Sequence, residues 1–304
     1  MAVVANPGLQ PLIQEHVPKV RMICEPMAKN TAACIGLAAV TAQVARPDED
    51  PVLVVLPADH AIRDDEKLRA ALREAIDRAR EERVLVTIGI PPTRPHTGYG
   101  YIKKGRLIEG RSFCVERFFE KPSIERAQKY LETGGYCWNS GMFAWRASVI
   151  LESFASFLPQ MAQGLAEIRR VLERDGEQKG AARVADIFAS FESISIDFGV
   201  LEHAKNCVVV DAEEFGWNDV GSWDQWAENF ARDAQGNLVK GDAVVIDSSG
   251  CVIRTAGRVV AAVGLKDVIV IDSGDALLVV SHEHVQEVRK VVDELKRRGR
   301  TDLV

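Results

Sequence analysis

No two cysteines in this chain stand at CxxC spacing, and its six cysteines (Cys24, Cys34, Cys114, Cys137, Cys207 and Cys251) are scattered over its length. That pattern speaks against a zinc site or a disulfide framework and for reduced, mostly buried thiols, as expected of a cytoplasmic protein. There is no excess of basic charge. The formal net charge is −6 and the pI near 5.6, which excludes general binding to nucleic acid or to a membrane surface but leaves room for a local phosphate pocket. No run reaches the roughly 18 apolar residues of a spanning helix. The opening MAVVANPGLQ has no basic start and no apolar core, so no signal peptide is expected. No serine or cysteine stands in a nucleophile-elbow context, which removes support for covalent hydrolysis. HEH at 282–284 has the wrong spacing for a helical metal pair.

The 304 residues present, 47% of them hydrophobic and 27% charged, are enough for one large domain or two smaller ones with an ample core. Up to about Gly89, strand-like and helix-like patterns alternate. Val20–Cys24, PVLVVLP at 51–57 and Val84–Gly89 read as strands, and 30–45 and 64–83 as helices. The continuous apolar run at 51–57 predicts a strand covered on both faces, and the alternation predicts βαβ units in a mostly parallel sheet. In the mixed middle, 99–103, 113–119 and 141–145 read as strands and 124–132 as a helix. A helical region follows from 148 to about 189, with RDGEQKG (174–180) as an exposed loop. Beyond about residue 233 short β-rich runs alternate with glycine turns, predicting a small stacked or coiled β domain at 234–304, closed by a helix bearing Val285, Val288, Val292 and Leu295.

Several strings can carry chemistry. Asp59 in LPADH follows directly on a strand, where open α/β sheets bind ligands, and a carboxylate there suits Mg²⁺; a turn or helix-capping aspartate fits equally well. Its neighbour His60 reads as structural rather than catalytic. Asp219 lies in the Trp- and Gly-rich WNDVGSW (217–223), either a second metal ligand or part of a tight turn between core tryptophans. In FFEKPS, Glu120 can accept from hydroxyls and Lys121 can neutralise a phosphate, though a surface ion pair ahead of a helix looks the same in sequence. Gly98 and Gly100 in TRPHTGYGY permit close backbone approach to a ligand, or make a plain turn. Asn139 in WNSGMFAW can both donate and accept, or sit in a turn. Glu25, Pro26, Asn30 and Thr31 in EPMAKNTAA precede a helix whose first N–H groups suit an anion, with Asn30 as a simple cap the alternative.

Read in order, EPMAKNTAA, LPADH, PTRPHTGYGYI, FFEKP, WNSGMFAW, SIDFGVLE and WNDVGSW resemble the mannose-1-phosphate guanylyltransferase family. Each string is weak alone; seven in order over residues 25–223 are specific. The resemblance implies a Rossmann-like, GT-A-like nucleotidyltransferase fold over 1–233, a mixed sheet flanked by helices, and a β-helix-like domain over 234–304. It implies transfer of GMP from GTP to mannose 1-phosphate, giving GDP-mannose and pyrophosphate by direct in-line attack. A near alternative is a sister enzyme with another sugar phosphate; a more distant one is a non-catalytic sugar-nucleotide-binding subunit. Carried over by position, Asp59 and Asp219 would hold Mg²⁺, and Lys121 would meet the phosphate. Glu120 and Asn139 would contact the sugar, with Gly98 and Gly100 lining its pocket. Glu25, Pro26, Asn30 and Thr31 would lie near the guanine. A homodimer is compatible with the resemblance. One departure stands out: the family's GGxGTRLWPLS-like loop is not in this sequence, and VVANPGLQPLI (3–13) matches the family's second strand. The chain is therefore expected to begin part-way into the fold, lacking about 30 residues or more, with turnover expected to be very weak.

Overall fold

The structure is a computed structural model describing residues 1–303. Contacts divide the chain into two compact units, 1–58 with 64–215, and 59–63 with 216–304.

In the first unit, β1 (Ala2–Ala5), α1 (Gln10–His16), β2 (Arg21–Cys24), α2 (Asn30–Ala45), β3 (Val52–Val55), α3 (Asp65–Glu81) and β4 (Leu85–Ile90) alternate as the hydrophobic pattern requires. Helix α2 is apolar on nearly every side and is correspondingly buried, with Ala32, Ala33, Ile35, Leu37, Ala39 and Val40 in the core. Helix α3 shows the opposite texture. Only Ala71, Ala75 and Ala79 are buried, and Asp64 caps its start by accepting from the Lys67 amide at 3.1 Å. There follow β5 (Tyr101–Glu109), β6 (Ser112–Phe119), α4 (Ile124–Thr133), β7 (Tyr136–Arg146), α5 (Ala147–Phe157), α6 (Pro159–Ala189) and β8 (Cys207–Asp211).

Six strands form one sheet in the order β3-β7-β4-β8-β6-β5, with β7 also pairing β5. It is a mixed sheet. Only β4 and β8 run parallel within it, because the long β7 lies antiparallel to β3, β4 and β5. The mostly parallel sheet expected from alternation is thus corrected, while the mixed sheet implied by the resemblance is present. Strands β1 and β2 pair parallel in a separate two-stranded sheet. Among the described residues strand β3 pairs with β7 alone, and Val54 and Leu56 are 37% and 47% exposed; the run at 51–57 is an edge strand, not one covered on both faces. RDGEQKG is not a loop either. Helix runs through it with a single break at Gly176, whose φ of 72° bends α6 into two arms. The core of this unit joins α2, α5 and α6 to one sheet face through Trp145, Phe154, Leu165, Ile168 and Phe188.

The second unit contains α7 (Trp223–Ala227), β9 (Leu238–Lys240), β10 (Ala243–Ile246), β11 (Val252–Arg254), β12 (Val260–Val263), β13 (Val268–Asp272), β14 (Leu277–Ser281) and α8 (Val288–Arg297). Strands β9, β11 and β13 stack in parallel, as do β10 and β12, giving successive coils that add β14 antiparallel at the end. In-register Leu238, Val252 and Ile269 fill the coil interior. Gly250 turns one coil with φ 65°, where a side chain would run into the Asp267 carboxylate. The texture changes near 233, but packing groups 216–233 with the coils because Trp223, Trp226 and Phe230 lie against their core.

Candidate active site

The first unit gathers Thr87, Gly100, Glu120, Lys121, Asn139 and Asp197, and β7 is the reason. Tyr101 of β5 pairs with Trp138, and the Asn139 amide donates to the Gly100 carbonyl at 2.9 Å. On its other side β7 pairs with β4, where the register shifts between Thr87 and Gly89 and β7 carries the extra residues. Gly141 absorbs this bulge at φ 70°. WNSGMFAW is therefore the bulged middle of an eleven-residue strand and not a turn. The bulge folds Asn139 into local hydrogen bonds: Oδ1 accepts from Thr87 Oγ1 at 3.1 Å and from the Gly141 amide at 3.3 Å, while Nδ2 donates to Asp197 Oδ1 at 2.6 Å.

Glu120 follows β6, half-buried, with the Lys121 ammonium 3.6 Å away and half exposed. Lys121 holds φ 44°, a left-handed conformation costly for a side-chain-bearing residue and characteristic of sites where geometry matters more than local comfort. Burial raises the Glu120 carboxyl above the ordinary carboxylate range, and the Asp197 charge adds to this against the pull of Lys121. Burial also raises Asp197, although Asn139 and a backbone amide stabilise its charge. Two carboxylates, one ammonium and one oriented amide make a site suited to a polyhydroxylated, phosphate-bearing ligand.

Gly98 and Gly100 lie in a loop held by its aromatic rings. His96 stacks on Tyr99 with centroids 3.9 Å apart, and its Nδ1 accepts from the Gly98 amide at 3.2 Å. Glu25 and Pro26 follow β2, where the Glu25 amide donates to the Ala5 carbonyl at 2.9 Å. Burial raises the Glu25 carboxyl. Asn30, at φ 66°, accepts from the Thr31 amide at 2.8 Å, and Thr31 Oγ1 accepts from the Ile196 amide at 2.9 Å. Thr31 thereby ties the start of α2 to the segment leading into Asp197.

The second unit pairs the segments that carry the two remaining aspartates. Ala61 and Asn218 pair as an antiparallel bridge, with N–H···O distances of 2.8 and 3.0 Å, which lays LPADH alongside WNDVGSW. Trp217 Nε1 donates to His60 Nδ1 at 3.0 Å. Burial lowers the His60 pKa, and the charges of Asp59 and Asp219 oppose that shift. Asn218 shapes the turn: its Oδ1 accepts from the Val220 amide at 2.7 Å, and Val220 takes φ 50°. Among the described residues no cluster of three or more His, Cys, Asp or Glu side chains forms a metal cage. Two carboxylates are nonetheless what Mg²⁺ asks of a protein when phosphates complete its shell.

Sequence reasoning misses Thr87, hidden in an apolar strand, and gives no role to Asp197, although its string SIDFGVLE is among those that carry the resemblance. His60 accepts a hydrogen bond from Trp217, in keeping with its structural reading, and feels the charge of both aspartates.

The nucleotidyl transferase family profile matches residues 4–236, and a profile for the "MannoseP isomerase/GMP-like beta-helix domain" matches 241–295. The chain is 42% identical over 281 residues to the xanthan biosynthesis protein XanB of Xanthomonas campestris, covering 92% of this chain and 58% of the relative. It is 38% identical over 284 residues to mannose-1-phosphate guanylyltransferase of Escherichia coli, with the same two shares, 92% and 58%. The chain thus spans about three fifths of the length of these curated relatives. A crystal structure described as "mannose-1-phosphate geranyltransferase" from Thermus thermophilus superposes with a TM-score of 0.82 at 34% identity, over 96% of this chain and 83% of that one. No helix among the described residues is long and apolar enough to cross a membrane. By the profile over 4–236 and by these relatives, the chain belongs to the nucleotidyl transferase family, in the group of mannose-1-phosphate guanylyltransferases.

Proposed function

We propose that the chain serves the transfer of GMP from GTP to mannose 1-phosphate, which forms GDP-mannose and pyrophosphate. The observation that carries this reading is the coupling of Glu120 and Asn139 around Gly100, beside a strained Lys121. In this reading Glu120 accepts from sugar hydroxyls, Asn139 donates to one, and Lys121 neutralises the sugar phosphate. Gly98 and Gly100 leave room for the pyranose, and Glu25, Pro26, Asn30 and Thr31 contact the guanine. Asp59 and Asp219 hold Mg²⁺, which when bound neutralises phosphate charge. Catalysis then consists of positioning and electrostatics, with no covalent enzyme intermediate. Six free cysteines support a cytoplasmic setting, and the active species is one copy or a homodimer.

The test is calorimetry with GDP-mannose and Mg²⁺, together with pyrophosphate release from GTP and mannose 1-phosphate. Saturable binding of GDP-mannose, with weaker binding of ADP-glucose, is expected. Absence of any GDP-mannose binding by folded protein refutes the reading.

A further inference from the structure

Asp197 has no direct place in the roles above, yet it governs one of them. An asparagine amide offers an oxygen that accepts twice and a nitrogen that donates twice. In Asn139 the oxygen is filled by Thr87 Oγ1 at 3.1 Å and the Gly141 amide at 3.3 Å, and one nitrogen proton goes to Asp197 at 2.6 Å. Among the described residues this leaves a single N–H open. Flipping the amide would set Oδ1 against the Asp197 carboxylate and Nδ2 against the Gly141 amide, while the Thr87 hydroxyl, which also reaches the Met142 carbonyl at 3.4 Å, would lose its acceptor in Asn139; Asp197 and the Gly141 amide therefore fix the orientation. Gly100 separates Asn139 from Glu120: a Cβ there would sit 2.6 Å from Glu120 Oε2 and 3.5 Å from Asn139 Cβ. Two groups of fixed and opposite sense, one donor and one acceptor, thus flank a residue without a side chain.

Resting on the sugar-nucleotide reading, we propose that Asp197 is a positioning residue for sugar specificity: it locks Asn139 as a donor, so that Asn139 and Glu120 together read two neighbouring ring hydroxyls of the pyranose. Such a site rejects a ligand lacking a hydroxyl, because a half-buried polar group is then left unpaired. A freely flipping Asn139 could adapt to either sense and would lose that discrimination.

The experiment measures affinities of GDP-mannose and its monodeoxy analogues for the wild type, Asp197→Ala, Asp197→Asn and Thr87→Val, with folding checked by circular dichroism. For the wild type, removing the hydroxyl that meets Asn139 should weaken binding about 10-fold or more. In Asp197→Ala that penalty should shrink to about 3-fold or less, whereas Asp197→Asn, which keeps an acceptor toward Asn139, should retain most of it. Thr87→Val removes one of the two donors to the Asn139 oxygen and should lower the preference in the same direction by a smaller factor, so the idea stays testable if the alanine variant does not fold. Equal weakening toward every ligand, or undiminished discrimination in folded Asp197→Ala or, where that variant does not fold, in Thr87→Val, overturns the inference while leaving the parent reading intact. A wild type that does not bind GDP-mannose at all overturns the parent reading, and this inference with it.

Discussion

A Cβ built on Gly100 falls 2.6 Å from Oε2 of Glu120, closer than any relaxed contact allows. The obstruction is the tip of a side chain and not backbone, so a substituted protein can fold by swinging the carboxylate aside. Fold and ligand site are therefore separable at this position. Gly100→Ala should leave the melting temperature within about 2 °C of the parent and weaken GDP-mannose binding by about 10-fold or more through misplacement of Glu120. Thermal melts and calorimetry on the same preparation check both halves.

The pairing of LPADH with WNDVGSW gives a second expectation. If Asp59 and Asp219 are the ligands of the proposed reading, Mg²⁺ should tighten GTP binding in the wild type and have little effect in Asp219→Asn or Asp59→Asn. Trp217→Phe removes the donor to His60 Nδ1 and with it an outer support of the site, which should weaken the Mg²⁺ response by about 10-fold. Titrations with Mg²⁺ and with a chelator distinguish these cases. A Mg²⁺ response undiminished in both aspartate variants removes these residues as ligands.

Asp197 carries a stability cost that pH should reveal. Burial raises its carboxyl, so the folded state binds the proton more tightly than the unfolded chain does. The folded state accordingly loses stability as pH rises above the ordinary carboxylate range. Asp197→Asn should melt about 2 °C or more above the wild type at pH 7. The difference should vanish below pH of about 3.5, where aspartate is protonated in both states. A variant that melts lower at pH 7 contradicts this sign.

The thiols should separate by environment. Cys24 is exposed, whereas Cys137, Cys207 and Cys251 are buried. Burial pushes the Cys207 thiol up to about 12, and burial with the nearby Glu25 charge does the same for Cys34. Near pH 8 each holds about 10³-fold less thiolate than an ordinary cysteine. A disulfide reagent should label Cys24 rapidly in native protein and reach Cys207 and Cys34 only after denaturation, as peptide mapping would show.

How far the sequence carries the argument depends on the range of the signal. Helices 30–45 and 64–83 are legible within a residue or two because their periodicity is local, as are the strands at 84–89 and 113–119. The stacked coils beyond 234 are legible from turn glycines recurring between short apolar runs. The length of β7 is not, since Asn-Ser-Gly argues for a turn and only pairing with β4 and β5 on both flanks converts it into a bulge. The exposed edge at β3 is hidden for a related reason: an apolar run does not say how many neighbours it has.

By itself, then, the order of residues determined the family, the succession of helices and strands, and the strings in which functional side chains stand, because each is a property of neighbours along the chain. Tertiary structure alone decided that Asp197 meets Asn139 across 58 positions, that Thr87 reaches the other side of the same amide, and that LPADH lies alongside WNDVGSW. Hydrogen bonds between distant segments depend on register and bulges, which are fixed only when the whole sheet closes its pairing and buries one face.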